Sequence, residues 1–392
     1  MQNIIQSVAR LIFKMKKADI IPVSSGVNTI DELFDDIKRK DYKSVFIASG
    51  KTIRKKGMLD RLTVRLNRNG IKTFVFSDIV PDPTIENVEA GLRYYKENEC
   101  SCIIAVGGGS VLDCAKVIAL RAANPFVSVA MMGMYVVPCR KSVPLYAVPT
   151  TSGTGSEITF FSVITDTKKK KKLAVLSDKY IPEKIIFDYE LLRHVPENPT
   201  VYAGMDALTH SVEAYISTYS KTFSDDVLSA PDVCKDIFRY LPIVKKEPDN
   251  MEARLKMAEA SYKAGLNFRR TSVGYVHAIA HRLGETYHIP HGLACAVVLP
   301  HVLKKSLPQA EERLCDLALK SGLADSAETF INKIVQLEKQ LGIPETFDKL
   351  IESDFPLMIK RAVSEASLQG CPVMLKYNDV EDILNEIKQP EE

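Results

Sequence analysis

Five of the chain's seven histidines fall between residues 277 and 301: His277, His281, His288, His291 and His301. Histidine is usually spread thinly, so a fold for this chain must bring several imidazoles to one place. His277 and His281 stand four residues apart, which puts both on one face of a helix. Gly284, Pro290 and Gly292 then end or bend that helix, so His291 returns toward the same face. Neutral imidazoles meeting at a point are a common way to hold a borderline divalent metal. Upstream, AGMDALTHSVEAY at 203–215 carries Asp206 and His210 at the same helical spacing. Two such pairs on two helices can together enclose one ion. Taken singly, Asp206 with His210 reads better as a buried helix-face hydrogen bond and His277 with His281 as satisfied core histidines; the four together do not.

A chain of 392 residues exceeds one ordinary core, so two domains are expected. A net charge of +3 gives no basic field for nucleic acid. No apolar run is long enough to span a membrane. Residues 1–17 place an apolar LIF patch among basic neighbours but lack a continuous apolar core and a small-residue cleavage site, so no signal peptide is expected. The eight cysteines are scattered without a C-x-x-C pair, which fits a reducing compartment, no disulfides and a cytoplasmic location.

The first half alternates short apolar runs with helical patterns. Strands are expected at 44–48, 72–76, 102–106 and 145–148, with further strands at 157–165 and 172–176. Helices are expected at 31–40, from about 51 to 69 with Gly70 closing it, and from Thr84 as N-cap to about Glu99. This alternation indicates an α/β domain with a parallel sheet covered on both faces. Beyond Asp188 helical periodicity dominates, so the division is an α/β dinucleotide-binding domain at 1–187 and an all-α domain at 188–392.

Two glycine-rich turns follow buried strands. Gly107, Gly108, Gly109 and Ser110 lead into a helix bearing Asp113, an arrangement that cradles phosphate on free N–H groups at the helix start. PTTSGTGSE at 149–157 offers Thr150, Thr151 and Thr154 on a flexible backbone that can close over a dinucleotide. The lysine run at 168–172 reads mainly as a solvated hairpin tip, with Lys172 placed to reach a phosphate or ribose.

Four segments together resemble the iron-containing (group III) alcohol dehydrogenases, in the superfamily that includes glycerol dehydrogenase and dehydroquinate synthase: GGGSVLDCAK (107–116), PTTSGTGSE (149–157), GMDALTHSVEAY (204–215) and HAIAHRLGETYHIPHG (277–292). The resemblance implies a Rossmann-like domain followed by an all-helical domain, a site in the cleft between them, and a homodimer. It makes Asp206, His210, His277 and His291 the metal ligands, and His281 a non-ligand histidine near the nicotinamide that relays a proton. It matches Gly107 to Ser110, Thr150, Thr151, Thr154 and Lys172 to cofactor contacts. The expected activity is NAD(P)-dependent interconversion of a small alcohol and its aldehyde, with Fe(2+) first and Zn(2+) second as the metal. The alternatives are a sister reaction on the same scaffold (glycerol dehydrogenase or dehydroquinate synthase) and a catalytically silent metal-binding protein.

Three positions depart from the family pattern. Gly50 stands where many members carry an aspartate for the adenosine ribose, with Lys51, Arg54, Lys55 and Lys56 nearby, so NADP(H) is expected to be accepted. Arg269 and Arg270, after Phe268, replace a Ser-Asn pair and can meet an anionic aldehyde if one of them faces the cleft. Cys295 replaces an asparagine after PHG, either as an oxidisable thiol near the metal or as packing.

Overall fold

The computed structural model describes residues 21–133, 138–169, 171–222 and 229–389. The expectation for residues 1–17, and Lys170 of the lysine run, lie outside these, as does the side chain of Arg270.

The first half runs β1 (Val23–Gly26), α1 (Glu32–Arg39), β2 (Ser44–Gly50), α2 (Lys51–Lys55), α3 (Asp60–Arg68), β3 (Lys72–Ile79), α4 (Ile85–Glu97), β4 (Cys102–Gly107), α5 (Gly109–Ala123), α6 (Val129–Met132), β5 (Leu145–Pro149), β6 (Phe161–Asp166), β7 (Lys171–Leu176) and β8 (Lys184–Asp188). Six strands form one parallel sheet in the order β1-β8-β5-β4-β2-β3, while β6 and β7 pair antiparallel as a separate hairpin. Successive side chains of β2 and β4 alternate between two buried layers. Val45, Ile47, Ile104 and Val106 pack with Leu33, Ile37, Leu62 and Leu66 of α1 and α3. Phe46, Ala48, Ile103 and Ala105 pack with Val88, Leu92, Val117 and Ile118 of α4 and α5. Burial on both faces explains why these strands read as continuous apolar runs.

The chain leaves β2 outward to β3, then crosses back to reach β4 on the other side of β2. Open α/β sheets take ligands at such a reversal, outside the carboxyl ends of the strands. Here those ends are Gly50 and Gly107.

The second half is helical: α7 (Tyr189–Leu192), α8 (Glu197–Ile216), α9 (Ala230–Lys246), α10 (Met251–Thr271), α11 (Tyr275–Tyr287), α12 (His291–Ser321), α13 (Ala327–Leu341), α14 (Phe355–Ala362) and α15 (Tyr377–Ile387). α8 is the central helix, buried on nearly every side from Thr200 to Ile216 and packed by α9, α10 and α12. A helix apolar all round belongs inside a domain. Among the described residues no helix is long and apolar enough to cross a membrane.

Several expected boundaries move. The helix at 51–69 is two helices, because Gly57 adopts φ +69°. The strand expected from Glu157 begins at Phe161, because the preceding residues are held in a turn by Lys116, whose buried Nζ donates to the carbonyls of Ser156 and Phe161. Strands β1 and β8 complete the sheet beyond the four expected strands. Gly284 lies within α11. The break comes at His288, which takes a left-handed conformation (φ +56°), and Pro290 then caps α12.

Candidate functional site

The two glycine-rich turns face each other across the ends of β4 and β5. A β-carbon on Gly108 would lie 3.2 Å from Thr151, and one on Gly109 would lie 2.9 Å from Thr154. Only bare backbone fits there. Gly108 precedes α5 without any side chain capping the helix, which leaves the helix start open to an anion. The Thr-rich loop also docks on the helical half: a β-carbon on Gly153 would lie 2.6 Å from the backbone of Ala203 in α8. The loop over the sheet is thereby fixed against the helix that carries Asp206.

A buried network sets the loop's shape. Asp113 accepts from the hydroxyl of Ser156 at 2.5 Å and from the N–H of Val163 at 2.8 Å, and Lys116 lies 3.3 Å from it. Both Asp113 oxygens are engaged by the protein, so this residue, expected at the cofactor, anchors the loop. Lys172, on the hairpin, pairs at 2.7 Å with Asp82 in the connection between β3 and α4. Glu157 is buried beside Lys116, and burial pushes its carboxyl up to about 7.

α8 presents Asp206 and His210 one turn apart, α11 presents His277 and His281, and α12 begins at His291. α12 can start there because Gly292 abuts α8: a β-carbon would lie 2.1 Å from the carbonyl oxygen of Tyr202. The side chains converge on Oδ1 of Asp206, which lies 3.4 Å from Nε2 of His291, 3.6 Å from Nε2 of His277 and 4.0 Å from Nε2 of His210. Asp206 and His277 are each 2% exposed, and neither Asp206 Oδ1 nor His277 Nε2 makes a hydrogen bond. Buried polar atoms left without partners are costly, and a cation among them removes that cost. A divalent ion with bonds of about 2.0–2.2 Å to nitrogen and oxygen places neighbouring donors roughly 3.0–3.5 Å apart, close to the spacing here. The residues fit a metal.

The electrostatics of Asp206 and His210 agree. Burial alone would raise Asp206, yet the imidazoles around it hold its carboxyl well below the usual range. Burial drives His210 down to about 3, which keeps it neutral and able to donate a lone pair. His277 goes the other way: burial opposes its charge, yet Glu213 and Asp206 raise it to about 10, so a metal there must displace its proton.

Two glutamates were not picked out from the sequence as site residues. Glu213 lies 2.6 Å from Nδ1 of His277 and also accepts the N–H groups of Gly274 and Val276 at the start of α11. It fixes the ring so that Nε2 faces Asp206, the usual carboxylate–imidazole support of a metal ligand. Glu365 lies 2.7 Å from Nδ1 of His281, with Arg282 3.2 Å from its other oxygen. A glutamate three residues after His210 was a signal for the first; nothing in sequence spacing marks the second.

The remaining candidates take supporting places. Phe268 is buried and stacks on His210 with ring centroids 4.0 Å apart. Arg269 is buried with its guanidinium 3.6 Å over the ring of Phe160. Thr150 continues the strand pairing, its N–H bonded to Gly107. Gly50 caps α2, and a β-carbon there would meet nothing nearer than 3.9 Å. His301 pairs with Glu386 and His288 is exposed. Cys295 is fully buried, with Sγ 3.7 Å from Nε2 of His291.

Known proteins share this sequence pattern and fold. Residues 22–189 match the model of the iron-containing alcohol dehydrogenase family and residues 200–388 match its C-terminal domain. The chain is 35% identical to alcohol dehydrogenase 4 of Saccharomyces cerevisiae over 375 residues, covering 93% of this chain and 96% of that protein. Its structure resembles that of a 1,3-propanediol oxidoreductase, with a TM-score of 0.86 and 32% identity over 95% of this chain and 100% of that one. It also resembles sulfoacetaldehyde reductase from Bifidobacterium kashiwanohense in complex with NAD+, with a TM-score of 0.89 and 28% identity over 96% and 99% of the two chains. With both halves matched, and with a metal-competent donor set beside a dinucleotide cleft, the chain belongs to the iron-containing alcohol dehydrogenase family.

Proposed function

We propose that this chain interconverts a small alcohol and its aldehyde by hydride exchange with a nicotinamide dinucleotide, at a divalent metal held by Asp206, His210, His277 and His291. The observation that supports it most is the buried, unpartnered Oδ1 of Asp206 with three imidazole nitrogens 3.4–4.0 Å around it. When bound, the ion supplies a Lewis acid for the substrate oxygen and the nicotinamide gives or takes the hydride, which no side chain can do. The chain's residues do the rest. Glu213 keeps His277 oriented. Gly107, Gly108, Gly109 and Ser110, with Thr151 and Thr154, form the wall for the dinucleotide phosphates, and Asp113 and Lys116 hold that wall in place. Phe268 braces His210. His281, oriented by Glu365 and partly open to solvent, passes the alcohol proton outward.

Iron(II) is the family's metal, with zinc the second choice. NADP(H) joins NAD(H) in this reading because Gly50 supplies no carboxylate against a 2′-phosphate, while Lys51 and Arg54 lie on α2 and Arg54 reaches Ser77 at the end of β3. A neutral aldehyde is the first substrate class. An anionic one is the second reading, favoured by the likeness to sulfoacetaldehyde reductase. We divide the domains at Asp188, the last residue of β8, and place the protein in the cytoplasm as a homodimer. The eight free cysteines suit that compartment, and the dimer rests on the family alone.

The test is anaerobic. Protein loaded with Fe(II) is assayed by NADPH and NADH consumption against butanal, lactaldehyde, succinic semialdehyde and sulfoacetaldehyde. Turnover with at least one aldehyde supports the reading, and the anionic members divide the two substrate classes. No turnover with any aldehyde and either cofactor returns the chain to the sister reactions or to a silent metal-binding protein.

A further inference from the structure

Cys295 lies one helical turn after His291 in α12, on the buried floor of the metal site. Its Sγ and donor atoms of Asp206, His277 and His291 all lie within 4.8 Å of one another. Metal bonds of about 2.0–2.1 Å to nitrogen and 2.3 Å to sulfur put an adjacent nitrogen and sulfur roughly 3.5 Å apart. The observed separation from His291 Nε2 is 3.7 Å. Two further observations point at the same spot: Asp206 Oδ1 and His277 Nε2, both on nearly fully buried residues, make no hydrogen bond. Cys295 is also the thiol that contacts this cluster. Cys371 lies beside Gly274 and Cys139 is exposed, while Cys295 itself belongs, with Cys234, to the apolar core of the helical half.

We propose that Cys295 is itself a metal ligand, a sulfur donor added to the Asp206, His210, His277 and His291 set, and that it biases this centre toward zinc over iron(II). The proposal rests on the metal-centre reading above. On binding, the thiol S–H bond breaks, the metal–sulfur bond forms and the proton leaves to bulk water. No electron is transferred. Imidazole and carboxylate donors suit iron and zinc alike, whereas a thiolate is a softer donor that favours zinc. His291, with a side chain 41% exposed, is the most open of the proposed ligand imidazoles.

The experiment is spectroscopic and needs no turnover. Stripped protein is titrated with Co(II), and parallel samples are loaded with Zn(II) for X-ray absorption. The proposal expects one equivalent of Co(II), a thiolate-to-cobalt charge-transfer band in the near ultraviolet, and a sulfur neighbour of zinc at about 2.3 Å. In Cys295→Ser and Cys295→Asn the band and the sulfur neighbour disappear while one equivalent still binds, and the preference for zinc over iron(II) falls at least tenfold. One equivalent of Co(II) bound by the wild type with nitrogen and oxygen ligation only overturns the sulfur ligand and leaves the metal centre intact. A band that persists in both variants overturns it as well, by assigning the sulfur to another cysteine. Failure of the wild type to bind Co(II) or Zn(II) overturns the metal centre and the sulfur ligand together. The wild-type measurements decide the question even if a variant fails to fold.

Discussion

The two halves of the cleft are built by opposite means. The sheet side is made by leaving side chains out: Gly107, Gly108, Gly109 and Gly153 bring backbone to within contact distance of its neighbours. The helical side is made by putting side chains in, with one carboxylate and three imidazoles on α8, α11 and α12 crowded around a single point. Adding atoms should damage the first, and removing them the second. Each kind of change should leave the other half's ligand in place.

The strongest break is His277→Ala. It removes a ligand and strands the Glu213 carboxylate in a buried site. Turnover should fall by about 10³-fold or more, with metal content well below one equivalent and NADPH binding, measured by fluorescence, little changed. Next is Glu213→Gln, which keeps the shape but weakens the hold on His277 and on the start of α11. Metal affinity should drop by roughly 10–100-fold in a chelator competition.

The converse break lies across the cleft. In Gly109→Ala the new methyl group meets Thr154 at 2.9 Å and fills the floor of the phosphate turn. The KM for the dinucleotide should rise by about tenfold or more while metal content stays at the wild-type level. Loss of metal in this variant would show that the two sites are not separable. Gly50→Asp sharpens the same side. Space exists for the side chain, and the carboxylate should lower kcat/KM for NADPH relative to NADH by about tenfold.

The smallest effect is on stability, away from the cleft. Glu338 in α13 is buried with Oε1 unpartnered, and burial raises its carboxyl from 4.5 to about 8. A carboxyl raised on folding favours the folded state fully below its unfolded value, and that contribution fades as pH climbs from 4.5 through 8. Glu338→Gln should therefore flatten the pH dependence of unfolding over this window and stabilise the protein by roughly 1–3 kcal/mol near pH 8.5. Denaturant melts of both proteins across the window check it.

The same contrast explains what the sequence reveals. Residues on one helix announce themselves by spacing, so Asp206 with His210 and His277 with His281 were legible before any fold was known. The pairing of each histidine with the carboxylate that orients it was not. Glu213 lies 64 residues from His277, and Glu365 lies 84 residues from His281, so only tertiary packing joins them. β1 escaped because four residues at a sheet edge carry too little apolar pattern. The stretch from Glu157 begins as a turn, with Ile158 donating to Gly155 and Thr159 to Ser156, and buried Lys116 holds it through the Ser156 carbonyl; no sequence spacing shows this. Asp113, legible as part of a cofactor motif, serves that motif from behind.

In the proposed reaction, hydride exchange depends on one metal held by the clustered histidines. Its most direct test is reconstitution: the protein is stripped with a chelator, titrated anaerobically with Fe(II) or Zn(II), and followed for both metal content and NADPH-dependent aldehyde reduction. Turnover should be absent in the stripped protein, rise linearly to one equivalent per chain, and fail to return in His277→Ala. Full turnover in the metal-free wild type, or restoration that ignores His277, would contradict it.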